Sequence, residues 1–158
     1  MMIRVMFVCL GNICRSPMAE AIFRELIKQA NLTDQIRVDS GGTGSWHIGE
    51  EPHHETKLIL QRNNISSDGL IARQINADDA KRFDYIIAMD DQNKEDLLQL
   101  VGQKDNVMIA KLMDFVSDPE ENSIPDPYFT GNFDYTYRLV STGCRQLLEY
   151  LKEEHAIS

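Results

Sequence analysis

Apolar residues occur along this chain in two spacings, and segments of the two kinds alternate. Short apolar runs, typical of strands buried in a parallel sheet, are followed by longer segments in which apolar residues recur at helical spacing. The predicted strands are residues 3–8, 36–39, 85–89 and 107–110, and the predicted helices are residues 17–29, 52–62, 91–100 and 133–152. Segments 65–75 and 117–130 show neither spacing and are expected to be loops.

This alternation predicts a single α/β domain over residues 1–158. Strands that alternate with helices form βαβ units, whose right-handed crossovers cover both faces of a parallel sheet. We therefore expect a three-layer sandwich with a four-stranded, doubly wound sheet in the order 2-1-3-4, and a ligand site at the carboxyl edge of the first strand. The last helix carries its apolar residues on one stripe, which makes Cys144 a core residue.

The most informative segment is CLGNICRSP, at positions 9–17. It joins the first predicted strand to the first predicted helix, and Pro17 suits the first turn of that helix. Its backbone N–H groups, backed by the helix N-terminus, would converge on one point and form an anion site. Gly11 and Asn12 are residue types that accept the left-handed backbone such a cradle needs.

The side chains of this segment add a nucleophile to the anion site. Arg15 lies six residues after Cys9 and can return to clamp two anion oxygens with its planar guanidinium. The same positive surroundings would favour the thiolate of Cys9, and the Ser16 hydroxyl could donate to its sulfur. A thiolate beside a bound phosphate is placed to attack phosphorus. The predicted phosphate-binding residues are Leu10, Gly11, Asn12, Ile13, Cys14 and Arg15, with Asn12 and Ser16 in support.

Cys-x5-Arg-Ser is the signature of cysteine-dependent phosphatases, and CLGNICRSP closely resembles the low-molecular-weight protein tyrosine phosphatases of bacterial type. The resemblance extends over essentially the whole chain, including a PDPY segment at positions 125–128. It implies hydrolysis of phosphotyrosine through a phosphocysteine intermediate on Cys9, with Arg15 binding the phosphate and no cofactor. It also implies tyrosine-phosphorylated proteins as substrates, and inorganic phosphate or other oxyanions as inhibitors.

The resemblance gives Asp126 the role of general acid and then of general base. A tyrosyl leaving group has a pKa near ~10, so its departure at neutral pH needs a proton donor. Asp126 lies between two prolines, and the proline that follows it favours an extended backbone. Without the resemblance, the Asp-Pro pair would be interpreted as a turn.

By the same resemblance, Trp46, Tyr128 and Phe129 are expected to line a deep crevice that accepts a flat phosphoaryl group. Phosphoserine would be too short to bring its phosphorus to the nucleophile in such a crevice. Phe129 replaces a second tyrosine that family members often carry. Trp46 lies in a glycine-rich segment and is also interpretable as a partly exposed loop anchor. Further candidates for the rim are His47 and Glu50.

Cys14 admits three interpretations. Two cysteines separated by four residues could be a metal pair, a redox couple or a coincidence. A metal is disfavoured because zinc takes three or four protein ligands and no further Cys or His cluster stands at ligand spacing. The family resemblance implies a reversible disulfide between Cys14 and Cys9, which would make the enzyme redox-regulated and protect the nucleophile from over-oxidation.

Composition limits the remaining functions. The net charge of −9 and the lack of a basic tract argue against nucleic-acid binding. No apolar stretch approaches membrane-spanning length, and the chain does not begin with a signal-peptide pattern. Three cysteines, an odd number, are not typical of the disulfide framework of a secreted protein. We expect a cytoplasmic protein without a membrane partner, and leave export open.

Two questions about the residues that support the phosphate loop stay open at the level of the sequence. Some family members carry a histidine that supports the asparagine of the phosphate loop, whereas this chain has Leu70 near that position, so the support of Asn12 is not identified. Asp90 matches a family aspartate that assists binding or loop support, but it is at least as well placed to cap the helix that follows.

Three other functions compete with phosphotyrosine hydrolysis. Relatives that hydrolyse phosphoarginine tend to carry threonine at the position of Ile13, whereas isoleucine favours an aryl ring. A thiol-dependent arsenate reductase needs an additional resolving cysteine pair, and only the distant Cys144 is left. A phosphate-reading module without turnover needs neither Cys9 nor Asp126.

Overall fold

The computed structural model describes residues 2–102 and 106–158. Within these residues four strands form one parallel sheet in the order β2-β1-β3-β4, as predicted. The strands are β1 (Ile3–Cys9), β2 (Ile36–Gly42), β3 (Tyr85–Ala88) and β4 (Met108–Lys111). The helices are α1 (Arg15–Gln29), α2 (His54–Arg62), α3 (Asp79–Arg82), α4 (Asp91–Val101), α5 (Pro127–Thr130) and α6 (Phe133–Glu154), with a 3₁₀ helix at Leu112–Phe115.

Helices cover both faces of the sheet, which confirms the three-layer arrangement. Alternate residues of β1 point to opposite faces, so Val5 and Phe7 pack with α1 and α6. Met6 and Val8 pack with α4 on the other face. All four side chains are fully buried, and the apolar stripe of α6 places Cys144 in the core as predicted. The strand that leads into the CLGNICRSP loop is therefore held firmly on both sides.

β2 extends beyond its predicted range, through Ser40, Gly41 and Gly42. Serine and glycine do not favour strands, so the sequence pattern ends this strand at residue 39. Pairing with β1 extends it, because Gly42 lies opposite Cys9 in the parallel register. A β-carbon at Gly41 would lie 2.6 Å from the Ile75 side chain, so the segment that packs against β2 here requires glycine.

The segment 65–75 is a loop, as predicted, apart from one isolated bridge between Gln74 and Gly42. The backbone N–H of Gly42 donates to the Arg73 carbonyl over 2.8 Å, and that of Ile75 donates to the Gly42 carbonyl over 2.9 Å. This pairing brings Arg73 to the end of β2, beside the loop that follows β1.

Short helical elements were not predicted, and one of them lies at the candidate site. α3, the 3₁₀ helix and α5 have four residues each, which is too few for a helical period to be visible. The prediction of a loop over residues 117–130 is therefore wrong at its end, where α5 begins with Pro127 directly after Asp126. The other helix and strand ends differ from the prediction by at most two residues. Among the described residues, no helix combines the length and the apolar character needed to cross a membrane.

Candidate active site

The loop between β1 and α1 lies at the carboxyl edge of the sheet. β1 ends at Cys9 and α1 begins at Arg15, so residues 10–14 form the turn. Asn12 adopts the left-handed conformation, with φ of 56°, which asparagine tolerates better than most residues. The N-terminus of α1 adjoins this turn and adds its partial positive charge to the N–H groups of the loop.

The Cys9 sulfur lies next to Ser16 in the first turn of α1. Ser16 Oγ is 3.0 Å from Cys9 Sγ, and the Ser16 backbone N–H donates to the same sulfur over 3.5 Å. Cys9 is buried, yet it lines a crevice that opens to the surface. The structure therefore places both the hydroxyl and the backbone N–H of Ser16 beside the sulfur.

Asn12 is braced by hydroxyl and backbone groups. Its Nδ2 group donates to Ser16 Oγ over 2.7 Å and to Ser40 Oγ over 2.9 Å. Its Oδ1 accepts from the Arg73 backbone N–H over 3.0 Å. Leu70 is instead buried in the core. The question that the sequence left open is answered by Ser40 and Arg73, both outside the CLGNICRSP segment.

Glu20 extends this network along α1. The Ser40 hydroxyl donates to Glu20 Oε1 over 2.6 Å. Burial raises the pKa of Glu20 to about 7, and the negative charge of Asp39 adds to the shift while the bond from Ser40 opposes it. A continuous chain of hydrogen bonds therefore runs from Glu20 to the sulfur of Cys9. Glu20 was not predicted as part of the site, although its position one helical turn after Ser16 was an available signal.

Arg15 is buried, and its guanidinium lies between two carboxylates. Nη1 donates to Asp90 Oδ2 over 2.6 Å and to the Ile124 carbonyl over 2.9 Å. Nη2 lies 3.2 Å from Asp126 Oδ2. Nε is buried and has no hydrogen-bond partner among the described residues. Since Nε and Nη2 share one edge of the planar guanidinium, that edge can donate to two oxygens of an anion.

Asp90 combines the two roles that the sequence left open. Its Oδ1 accepts from the backbone N–H of Asn93 over 2.7 Å and so caps the N-terminus of α4. Its Oδ2 pairs with Arg15. The helix cap therefore fixes the carboxylate that anchors the guanidinium.

Asp126 is fixed in the same way by α5. Its Oδ1 accepts from the backbone N–H of Tyr128 over 3.1 Å as the helix cap, and its Oδ2 faces Arg15. The side chain keeps 19% of its surface exposed and lines the crevice together with Cys9. The structure thus brings together Cys9, Arg15 and Asp126, although 111 positions separate Arg15 from Asp126 along the chain.

The crevice has a volume of about 380 Å³, which lies in the range of small-molecule sites. Its lining consists of Cys9, Leu10, Gly11, Ile13, Cys14, Trp46, His47, Asp126, Tyr128 and Phe129. The three predicted aromatic residues are all present, and Trp46, Tyr128 and Phe129 are 70%, 55% and 75% exposed. Their rings therefore form an apolar wall that a planar ligand can reach from solvent. Trp46 is both a crevice residue and an exposed loop residue.

Contacts from the start of α6 and from His53, which caps α2, support this wall and were not predicted from the sequence. The His53 ring stacks on Phe133 with centroids 4.9 Å apart and meets the Tyr128 ring edge-on at 6.2 Å. The His47 ring also approaches Tyr128, with centroids 6.3 Å apart, and its Nδ1 lies 3.0 Å from Glu50 Oε2. Because His53 and Phe133 meet only in the folded chain, no local pattern indicated their pairing.

Cys14 and Cys144 lie in surroundings that differ from those of Cys9. Burial raises the pKa of Cys14 to about 12, with contributions from the negative charges of Cys9 and Asp126. Cys144 is fully buried, and its thiol donates to the Ala19 carbonyl over 3.7 Å, outside the crevice. Among residues 2–102 and 106–158, no three His, Cys, Asp or Glu side chains are grouped so as to hold a metal ion.

Comparisons with known proteins agree with this geometry. A family model described as low molecular weight phosphotyrosine protein phosphatase matches residues 4–157. The low molecular weight protein-tyrosine-phosphatase YfkJ of Bacillus subtilis is 52% identical over 97% of this chain and 98% of its own. The PtpA protein of Staphylococcus aureus, which carries the same description, is 46% identical over 97% and 96% of the two chains.

Solved structures extend the comparison to the fold. The crystal structure of YfkJ from Bacillus subtilis superposes with a TM-score of 0.95 at 51% identity, covering 98% of this chain and 97% of that one. A drosophila arginine phosphatase superposes with a TM-score of 0.85 at 35% identity, covering 94% and 97%. These matches confirm the resemblance seen in the CLGNICRSP segment, and this chain belongs to the low molecular weight phosphotyrosine protein phosphatase family of enzymes.

Proposed function

We propose that this protein hydrolyses phosphotyrosine in proteins through a phosphocysteine intermediate on Cys9. Arg15 binds the phosphate, and Asp126 acts as general acid and then as general base. The observation that carries the proposal is that Cys9 and Asp126 line one aromatic-walled crevice while Arg15 pairs with Asp126. Family membership supports it, because YfkJ of Bacillus subtilis and PtpA of Staphylococcus aureus are both described as tyrosine phosphatases.

The phosphate would bind in the turn of residues 10–14. Backbone N–H groups of the turn and the N-terminus of α1 provide donors, and the Nε–Nη2 edge of Arg15 provides two more. Asp90 holds the opposite edge of the guanidinium, so Arg15 need not be reoriented when the anion arrives. Inorganic phosphate and other tetrahedral oxyanions would occupy the same place and inhibit competitively.

In the first step the Cys9 thiolate attacks phosphorus. The S–P bond forms as the bond from phosphorus to the tyrosyl oxygen breaks. The protonated carboxyl of Asp126 gives its proton to that oxygen, so tyrosine leaves as the neutral phenol. Ser16, at 3.0 Å from the sulfur, stabilises the thiolate before attack and after its release.

In the second step water attacks phosphorus of the phosphocysteine. The Asp126 carboxylate takes a proton from this water as the new O–P bond forms. The S–P bond breaks and its electron pair returns to Cys9 as thiolate. Inorganic phosphate leaves, and Asp126 is again protonated for the next cycle. The products are tyrosine and phosphate, with one water consumed.

The shape of the crevice supports an aryl phosphate as the substrate. Ile13 presents an apolar side chain next to Cys9, and the rings of Trp46 and Tyr128 stand at the wall. A planar ring can lie between these apolar groups, whereas phosphoserine lacks the length to place its phosphorus near Cys9. The guanidino group of phosphoarginine would meet Ile13 without a polar partner there.

The proposal is tested by phosphate release from a phosphotyrosine peptide and a phosphoarginine peptide, assayed side by side in excess chelator. Preferential turnover of phosphotyrosine supports the proposal. Preference for phosphoarginine would leave the roles of Cys9, Arg15 and Asp126 intact but would overturn the substrate. The absence of turnover with either peptide would favour a reductase or a phosphate reader. In the same assay, Cys9→Ser should bind phosphate without turnover, and wild-type activity in that variant would exclude the covalent route.

A redox role for Cys14 belongs to the same proposal. Peroxide oxidises the Cys9 thiolate to a sulfenic acid, and the Cys14 thiol then displaces its hydroxyl to give a disulfide and water. A thiol reductant restores both cysteines, which suits the cytoplasmic location expected from the sequence. Recovery of activity by dithiothreitol after peroxide should be nearly complete for the wild type and poor for Cys14→Ser. Equal recovery in both proteins would contradict this role.

A further inference from the structure

A second groove lies beside the crevice, on the far side of Trp46. It has a volume of about 400 Å³ and is lined by Leu10, Thr43, Gly44, Trp46, Asp96, Gln99 and Leu100. Leu10 and Trp46 also line the crevice, so the indole of Trp46 is a wall common to both cavities. A ligand that fills the crevice and continues past Trp46 enters this groove.

The indole wall is well defined by its contact with Gly44. A β-carbon at position 44 would lie 2.0 Å from Trp46 Cζ3, so the indole occupies the space that a side chain at this position would need. Trp46 is nevertheless 70% exposed, and Leu100, which also lines the groove, is 41% exposed. The groove therefore offers two apolar surfaces to a side chain that lies between them.

Asp96 gives the groove its charge. It is the one formally charged residue among the described residues of the lining. Its Oδ1 accepts from Gln92 Nε2 over 2.9 Å, one helical turn away on α4. This bond leaves the other carboxylate oxygen available to a ligand, and no lysine or arginine contributes to the lining. The combination of apolar walls and one carboxylate fits a long aliphatic side chain that ends in a cation.

We propose that this groove binds an arginine or lysine side chain of the substrate next to the phosphotyrosine, and that Asp96 makes the enzyme prefer basic flanking residues. The methylene stem packs between Trp46 and Leu100, and the cation reaches the Asp96 carboxylate. A guanidinium on the indole face adds a cation–π contact. A glutamate at the same place would face Asp96 with like charge. This inference rests on the proposed hydrolysis of phosphotyrosine in peptides.

The experiment measures kcat/KM for peptides that are identical except for the residues flanking phosphotyrosine, which are arginine, glutamine or glutamate. We expect the wild type to prefer the arginine peptide over the glutamine peptide about 3- to 5-fold, the size of an exposed ion pair with a cation–π contact. In Asp96→Asn this ratio should fall to about 1.5. The preference for arginine that remains is due to the indole and to the net charge of the protein.

Glu95→Gln is the matched control, because Glu95 is exposed on the same helix, lines neither cavity and changes the net charge by the same amount. It should keep the wild-type ratio. Both variants should hydrolyse para-nitrophenyl phosphate, which has no flanking residue, at the wild-type rate. An arginine-to-glutamine ratio near 1 in the wild type, or equal ratios in Asp96→Asn and Glu95→Gln, would overturn the inference. The absence of wild-type turnover of every phosphotyrosine peptide would instead overturn the proposed function.

Discussion

At the scale of single residues, the two aspartates of the site each use one oxygen to cap a helix and the other to contact Arg15. Asp90 caps α4 with Oδ1 and holds Arg15 with Oδ2. Asp126 caps α5 with Oδ1 and faces Arg15 with Oδ2. Because each carboxylate is fixed by a backbone N–H group, the charges around Arg15 are oriented before any substrate binds. Such preorganisation is what electrostatic stabilisation of a transition state requires.

Replacement of Asp126 by asparagine separates its chemical role from its structural one. Asparagine can still cap α5, so the fold should be kept. Hydrolysis of phosphotyrosine, whose leaving group needs a proton, should slow by about 10² to 10⁴-fold. Esters of acidic phenols, such as para-nitrophenyl phosphate, should slow much less because their phenolates leave unaided. The measurement is kcat for both esters, and equal slowing would argue against the acid role.

Glu20 should make stability depend on pH in the direction opposite to that of most carboxylates. Its pKa is raised to about 7 in the folded protein, so between its unfolded value and pH 7 the folded state binds more protons than the unfolded state. Its contribution to stability is therefore greatest at low pH and is lost as the pH rises through 7. Urea unfolding at pH 5 and pH 8 should show that the wild type loses about 2 kcal/mol more than Glu20→Gln over this interval.

Glu25→Gln is the control for this prediction, since Glu25 lies on α1 as well and, among the described residues, accepts a hydrogen bond from Gln29 alone. It should follow the wild-type pH dependence. A Glu20→Gln variant with the same pH dependence as the wild type would show that the Glu20 carboxyl is not held in its protonated form by burial.

At the scale of secondary-structure elements, the sequence predicts those elements that are long enough for a repeated apolar spacing to be visible. The four strands and four long helices were visible because their apolar spacing persists over several residues. The extension of β2 through Ser40 was not visible, because pairing with β1 and not local propensity creates it. The same limit hid the brace of Asn12, which depends on Ser40 and on a backbone N–H of Arg73. By contrast, the grouping of Cys9, Arg15 and Asp126 in space could be predicted from the sequence, because these residues lie in two segments that resemble one family.

Gly143 on α6 provides a test of packing between elements. Glycine inside a helix usually costs about 1 kcal/mol relative to alanine, so Gly143→Ala should stabilise on propensity alone. A β-carbon there would, however, lie 2.5 Å from Cγ of Leu112, which is fully buried in the 3₁₀ helix. Overpacking of this kind costs about 1 to 3 kcal/mol, so we expect net destabilisation of about 1 kcal/mol.

The urea midpoint of Gly143→Ala measures this balance. Arg145→Ala, at an exposed position of α6, changes helix propensity without a contact in the core and should leave the midpoint nearly unchanged. A higher midpoint in Gly143→Ala than in the wild type would mean that Leu112 yields without strain.

At the scale of the whole molecule, the proposed phosphate site lies within a protein whose net charge would repel anions. The net charge is −9, and two aspartates, Asp90 and Asp126, lie within hydrogen-bond distance of Arg15. The local donors of the 10–14 turn and the buried guanidinium must therefore outweigh a long-range field of opposite sign. Because the long-range part acts through solvent and the local part acts through buried contacts, salt should weaken the first much more than the second.

An increase in ionic strength should therefore raise kcat/KM for acidic substrates. An increase from 0.02 M to 0.3 M NaCl shortens the screening length from about 20 Å to about 6 Å. We expect kcat/KM for a phosphotyrosine peptide flanked by glutamates to rise about 3-fold, and that for a peptide flanked by glutamines to rise less. Since this effect belongs to the total charge, it should persist in Asp96→Asn, unlike the preference for arginine. A fall in kcat/KM for the glutamate peptide over this range would show that positive groups at the site, and not the net charge, govern its approach.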